Sequence, residues 1–171
     1  MELPSRETIA NQVRTLQIIL AALIAGCLVF APIAVFMKPD PDPANEESVL
    51  VVTSMALAFG AFALVAQFVI GPMLRRQSRQ AIVNQEGTSP DDPQRLLAGY
   101  QTSAIVSAAF AEGACFFNLI AHLIEGSPYT LLMAAVLVVS IVFRFPTVDG
   151  VTDWLQREMR LVQEERGMGR R

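Results

Sequence analysis

The sequence predicts an all-α protein: a four-helix transmembrane bundle with a C-terminal amphipathic helix at the membrane interface. Three observations carry that expectation. Of 171 residues, 53% are hydrophobic and only 17% charged, with a positive mean hydropathy; a soluble domain of this length needs a surface richer in charge. The charges are also bunched. Ile18–Met37, Val49–Leu74 and Gly126–Phe143 contain no charged residue, and Gly99–Ile124 contains only Glu112, beside Cys115 and His122. A bilayer core about 30 Å thick takes roughly 20 apolar residues as helix, because backbone groups there have to be satisfied within the segment. Finally, the basic residues alternate from loop to loop in a way that assigns each loop a side.

The first span is expected at residues 15–37. It follows a tail carrying Arg6 and Arg14. Within it, Ile24-Ala25-Gly26-Cys27 matches a lipoprotein cleavage box, but the next residues, LVFAPIAVFM, continue the apolar run. The helix is therefore expected to stay uncleaved. Between the first and second spans, MKPDPDPANEES alternates prolines with acids, which predicts an extended, stiff start. Asp40, Asp42, Glu46 and Glu47 lack a calcium-loop pattern, so a solvated acidic loop is expected.

The second span is expected at 49–74, with RRQSRQAIVNQEG extending the helix to near Gly87. Ser89-Pro90-Asp91-Asp92-Pro93 reads as the next helix start, with Asp92 as N-cap and Pro93 in the first turn. The third span is expected at 99–124 and the fourth at 127–145, closed by Pro146. After it, Val148, Val151, Leu155, Met159 and Val162 form one helical stripe widened by Trp154, over 147–165, with Thr147 or Asp149 as cap. Such a helix fits the headgroup boundary, the bundle's own cytoplasmic face or a partner. Its acids balance its arginines, which argues against electrostatic lipid capture.

The N-terminal tail, the loop with Arg75, Arg76, Arg79 and Arg95, and the C-terminal segment hold twelve of the thirteen basic residues. The positive-inside rule puts these three regions in the cytoplasm. A single integral membrane domain over 1–171 follows, with both termini inside and the turn at Glu125-Gly126-Ser127 outside. The expected location is a bacterial cytoplasmic membrane.

The first and third spans also look like copies. At an offset of 87, Thr15, Ile18, Ala21, Ala22, Gly26, Phe30, Ile33 and Ala34 meet identical residues. A tandem repeat of a helical hairpin would produce this, supported by Pro72 and Pro146 closing the second helix of each copy. The alignment sets Ala25 against Glu112, so the carboxylate belongs to the second copy alone.

Glu112 is the chemical question of the chain. An ionisable residue at a helix centre costs about 2.5–3.5 kcal/mol on insertion scales, so it should face the bundle. Ala104, Ala108, Cys115, Leu119 and His122 continue its stripe, and Ser103, Ser107 and Ala111 line an adjacent face, a composition that lets a neighbouring helix approach. The candidate intramembrane polar site is Glu112, Gln67, Asn118 and His122. One reading is structural: a neutral acid donating a hydrogen bond to Gln67, Asn118 or a backbone carbonyl. The other is reversible proton or cation binding, with His122 as a relay about 15 Å further along the axis. A catalytic site finds no nucleophile–base pair, metal triad or phosphate-binding glycine loop, so no enzyme activity, metal or cofactor is expected. Cys27 and Cys115 are expected to be apolar packers.

AFAEGACFFNLIAHLI resembles the ion-binding helix of the rotary ATPase proteolipid, subunit c, over about twenty residues. The resemblance implies that Glu112 corresponds to the ion-binding carboxylate. The second span is not glycine-rich and the loop from Arg75 to Arg95 is long, so a ring subunit is not expected. The whole chain is more similar to uncharacterised small four-helix bacterial membrane proteins, a likeness that implies no activity. The expected function is a non-catalytic subunit or accessory protein acting through helix–helix contacts, as a homo-oligomer or in a larger complex, with the bilayer as partner and no nucleic acid. The alternative is a proton- or cation-responsive protein using Glu112.

Overall fold

The computed structural model describes residues 4–37, 49–85, 89 and 91–168, with backbone alone at 49 and 50. The acidic loop with Asp40, Asp42, Glu46 and Glu47 lies outside the described residues, and the second helix, foreseen to run to near Gly87, ends at Val83. The described chain is helical throughout: α1 (Arg6–Phe36), α2 (Val49–Val83), α3 (Asp92–Glu125), α4 (Pro128–Val142) and α5 (Val148–Met168). Three of these helices, α1, α2 from Val51 onward and α3, are long and apolar enough to cross a membrane; α4 is apolar but shorter. At 15 residues it is also shorter than the foreseen 127–145 segment.

Local chemistry explains the boundaries. Ser5 Oγ accepts the Thr8 N–H at 3.2 Å and caps α1. Pro72 does not close a helix as the repeat argument supposed; α2 continues through it to Val83. Two side chains bond the carbonyl just before the proline. Ser103 Oγ and Arg75 Nε donate to the Gly71 carbonyl at 3.0 and 3.3 Å. Before α3 the cap is Ser89 rather than Asp92. Ser89 Oγ accepts the Asp91 N–H, and the Ser89 N–H goes to Asp92 Oδ2, each at 3.3 Å. That reciprocal pairing is a capping box. Gly126, at φ 68°, takes the left-handed conformation that ends α3. Pro128 then opens α4 at a position where no N–H is needed. Thr147 caps α5 by accepting the Gly150 N–H at 3.2 Å.

The chain divides into two compact units. The first comprises residues 1–19, 69–106 and 146–171. Its core is built from large aliphatic side chains: Ile9 and Val13 of α1, Ile82 of α2, Leu96 and Leu97 of α3, and Val151, Leu155, Met159 and Val162 of α5. Of the three surfaces the stripe fits, the headgroup boundary, the chain's own helices and a partner, it is the chain's own helices that bury it. Trp154 stacks on Tyr100 with ring centroids 4.8 Å apart. Charge closes the rim. Arg79 pairs with Glu158 and Glu165 at 3.3 Å, and Arg166 pairs with Asp92 at 3.0 Å.

The second unit comprises residues 20–68 and 107–145, and its build is the reverse. Small side chains dominate its interior, among them Ala34, Ala56, Ala63, Ala111, Ala114, Ala121 and Ala134, with polar Gln67, Ser107, Asn118, His122 and Thr130 also buried. Large apolar side chains point outward: Phe36, Phe62, Phe68, Leu132 and Phe143 are 58–87% exposed.

Candidate functional site

Glu112 lies on α3 at its seam with α1, within the second unit. The acid comes near Gly26 of α1. A methyl group there would sit 3.4 Å from Glu112 Oε1 and 3.6 Å from the Phe116 ring. Phe116 packs against Phe30 of α1 at 5.5 Å between centroids and a 60° tilt. Cys27 on α1 and Cys115 on α3 are buried free thiols. Cys115 Sγ donates weakly to the Ala134 carbonyl at 3.7 Å. The acid itself is half-buried, with no hydrogen-bond or ion-pair partner among the described residues.

The other three residues expected beside it are engaged elsewhere. Asn118 is fully buried, and its Nδ2 donates to the Ala56 carbonyl of α2 at 3.0 Å and the Ala114 carbonyl of α3 at 2.9 Å. A methyl on Gly60 would stand 3.0 Å from that same nitrogen, so the α2–α3 approach and the amide are fitted to each other. Gln67 Nε2 donates to Ser140 Oγ of α4 at 3.3 Å, and its backbone carbonyl accepts from Arg144 Nη1 at 3.1 Å. Arg144 also lies over the Phe68 ring, 4.8 Å from its centroid. His122 Nδ1 meets the Ser127 carbonyl at 2.8 Å, in the turn between α3 and α4. The expected polar site is thus three separate clasps and one unattached acid. Among the described residues Glu112 bonds neither Gln67 nor Asn118 nor a backbone carbonyl, the three partners its structural reading allowed.

Glu125, which the sequence reading treated only as part of a turn, holds the start of α2. Its Oε1 accepts the Val52 N–H at 3.0 Å and its Oε2 the Thr53 N–H at 2.7 Å. Helix N-termini carry unpaired N–H groups and partial positive charge, so a carboxylate there contributes about 1 kcal/mol. One signal for it is present in the sequence. The first turn of α2 contains no acid of its own, which leaves its N–H groups open to a carboxylate from another helix.

Chemically, clasps of this kind hold helices; they do not activate a nucleophile. Among the described residues no three His, Cys, Asp or Glu side chains are grouped to hold a metal ion. Comparison with protein-family models, with curated proteins and with solved structures gives no match.

Proposed function

We propose that the chain is an integral protein of a bacterial cytoplasmic membrane, crossing it four times with both termini inside. It would act without catalysis, as a subunit or accessory protein, through helix–helix contacts with further copies or a larger complex. The observation that carries the membrane reading is the inverted second unit, with large apolar side chains outside and alanine and polar groups inside. In water such a surface aggregates; in lipid, where apolar exteriors cost nothing, close packing of small residues holds helices together. The α4 helix, about 22 Å long at 1.5 Å per residue, is the fourth span, with exposed Phe143 and Phe145 prolonging its apolar stretch. The orientation rests on the basic residues, all of which except Lys38 and Arg144 belong to the first unit. Small side chains also lie outside, Ala21, Ala22 and Ala25 on α1 and Ala109 and Gly113 on α3, and these suit a partner helix. A photocrosslinking residue at position 25 or 109 in native membranes is expected to give adducts larger than one chain. Monomer alone at both positions would overturn the contact function.

A second reading is favoured by the unpartnered carboxylate: Glu112 binds protons or cations reversibly, as the resemblance of its helix to subunit c implies. Infrared difference spectroscopy is expected to show a carboxyl band that titrates with pH and is missing from Glu112→Gln. A band constant across the whole pH range would remove this reading.

A further inference from the structure

Glu112 is set apart from Gln67, Asn118, His122 and Glu125, each of which has a partner. Its position on α3 is at a border. Ala108, Ala111 and Cys115 are buried, whereas Ala109 and Gly113 are exposed, so the carboxylate stands at the outer edge of the packed face. The α1 side of the seam is similar, with Cys27 buried and Ala25 and Val29 exposed. The next residue, Gly113, faces open space: a methyl group on it would meet nothing within 4 Å.

The surroundings of the acid have a particular chemistry. Glu112 Oε1 and the edge of the Phe116 ring come together over Gly26, and Phe30 packs on Phe116. The titratable groups near the acid are Cys27 and Cys115, which carry no positive charge. Arg144 is held by the Gln67 carbonyl and the Phe68 ring. His122 is ten residues further along α3 and bonded to Ser127. An ionised carboxylate away from water needs a compensating cation. A metal ion of the calcium or magnesium kind needs several oxygen ligands, and the seam offers one carboxylate. Aromatic rings attract organic cations, and a cation shielded by its own apolar groups gives up little hydration on leaving water.

We propose that the α1–α3 seam at Glu112, lined by Phe30 and Phe116 and opened by Gly113, binds lipophilic monovalent organic cations: quaternary ammonium, phosphonium or protonated hydrophobic amines. They enter sideways from the surrounding lipid. This rests on the second reading above and names its ligand class. Binding exchanges charge one for one. The neutral acid releases its proton to water, the carboxylate pairs with the cation, and no covalent bond to carbon changes. Affinity therefore rises with pH until the acid is fully ionised.

The test uses the full chain in lipid nanodiscs with tetraphenylphosphonium as probe, by equilibrium dialysis at about pH 5.5 and about pH 8.5, on either side of the range in which a lipid-embedded carboxyl is expected to titrate. Saturable binding is expected, tighter at the higher pH, with one proton released per cation at the lower pH and none at the higher. Glu112→Gln should weaken binding by at least about tenfold and remove its pH dependence, and Phe116→Leu should weaken it several-fold while keeping that dependence. Gly113→Leu should exclude the probe. An unchanged helical circular-dichroism spectrum and an unchanged elution volume in detergent confirm that each variant is folded. Absent or unsaturable binding by the wild-type chain, or equal binding by Glu112→Gln, overturns the proposal. If the Glu112 infrared band titrates while the probe does not bind, the ligand class is wrong and the proton-responsive reading stands. A band that never titrates sinks both.

Discussion

Exchanging Arg166 for methionine is expected to destabilise the first unit by about 3–5 kcal/mol, the usual cost of removing one partner from a buried ion pair. The Asp92 side chain is fully buried, and Arg166 is only 15% exposed. The guanidinium donates to Asp92 Oδ2 at 3.0 Å and to the Ile82 carbonyl at 2.6 Å. It thereby joins α5 to the end of α2 and the start of α3. Without it, a carboxylate and a backbone carbonyl are stranded in a low-dielectric site. Asp92 Oδ1 already lacks a partner, and only the Ser89 N–H at 3.3 Å would still reach Oδ2. The measurement is denaturant unfolding in detergent, followed through Trp154. This is the only tryptophan of the chain, and it reports on this core through its contact with Tyr100. Adding Asp92→Asn to Arg166→Met should recover part of the loss, because the stranded charge is then gone. A loss below about 1 kcal/mol, the range of solvent-exposed ion pairs, would show that the pair is not buried in the working protein. The exposed pair between Arg6 and Asp149 serves as the control, and its removal should leave stability unchanged.

The second large effect is expected at Gly99, where even alanine should destabilise by about 1–3 kcal/mol through overpacking. The sign is the diagnostic part. In a helix interior, glycine to alanine normally stabilises by up to about 1 kcal/mol. A methyl at position 99, however, would lie 2.7 Å from Ser78 Cβ, an overlap that a rotamer change of Ser78 cannot relieve, since Cβ is fixed by the backbone of α2. Ser78→Ala should therefore fail to rescue Gly99→Ala, whereas Ser78→Gly should restore most of the loss. Rescue by Ser78→Ala would place the conflict at the hydroxyl and refute the backbone argument. The same Trp154 unfolding measurement decides it.

The sequence by itself was enough for the all-helical class and the placing of the apolar helices, because local composition dictates where a chain can satisfy its backbone away from water. It also marked α5, since the stripe Val151, Leu155, Met159 and Val162 repeats at the helical period. What those features touch was not legible. The stripe fits lipid and protein equally well, and only the assembled first unit shows it packed on Ile9, Val13, Leu96 and Leu97. The bond from Ser103 to the Gly71 carbonyl beside Pro72 joins α3 to α2 across a long stretch of sequence. Most of all, the polar residues of the second unit drew attention by rarity, and rarity does not say who pairs with whom. Asn118 found a carbonyl on α2, Gln67 found Ser140, Glu125 found the start of α2, and Glu112 found Gly26 and two rings. Solvent preference is summed along one helix and can be read in one dimension. A hydrogen bond needs two atoms within about 3 Å, and which helices come that close is decided by the three-dimensional packing.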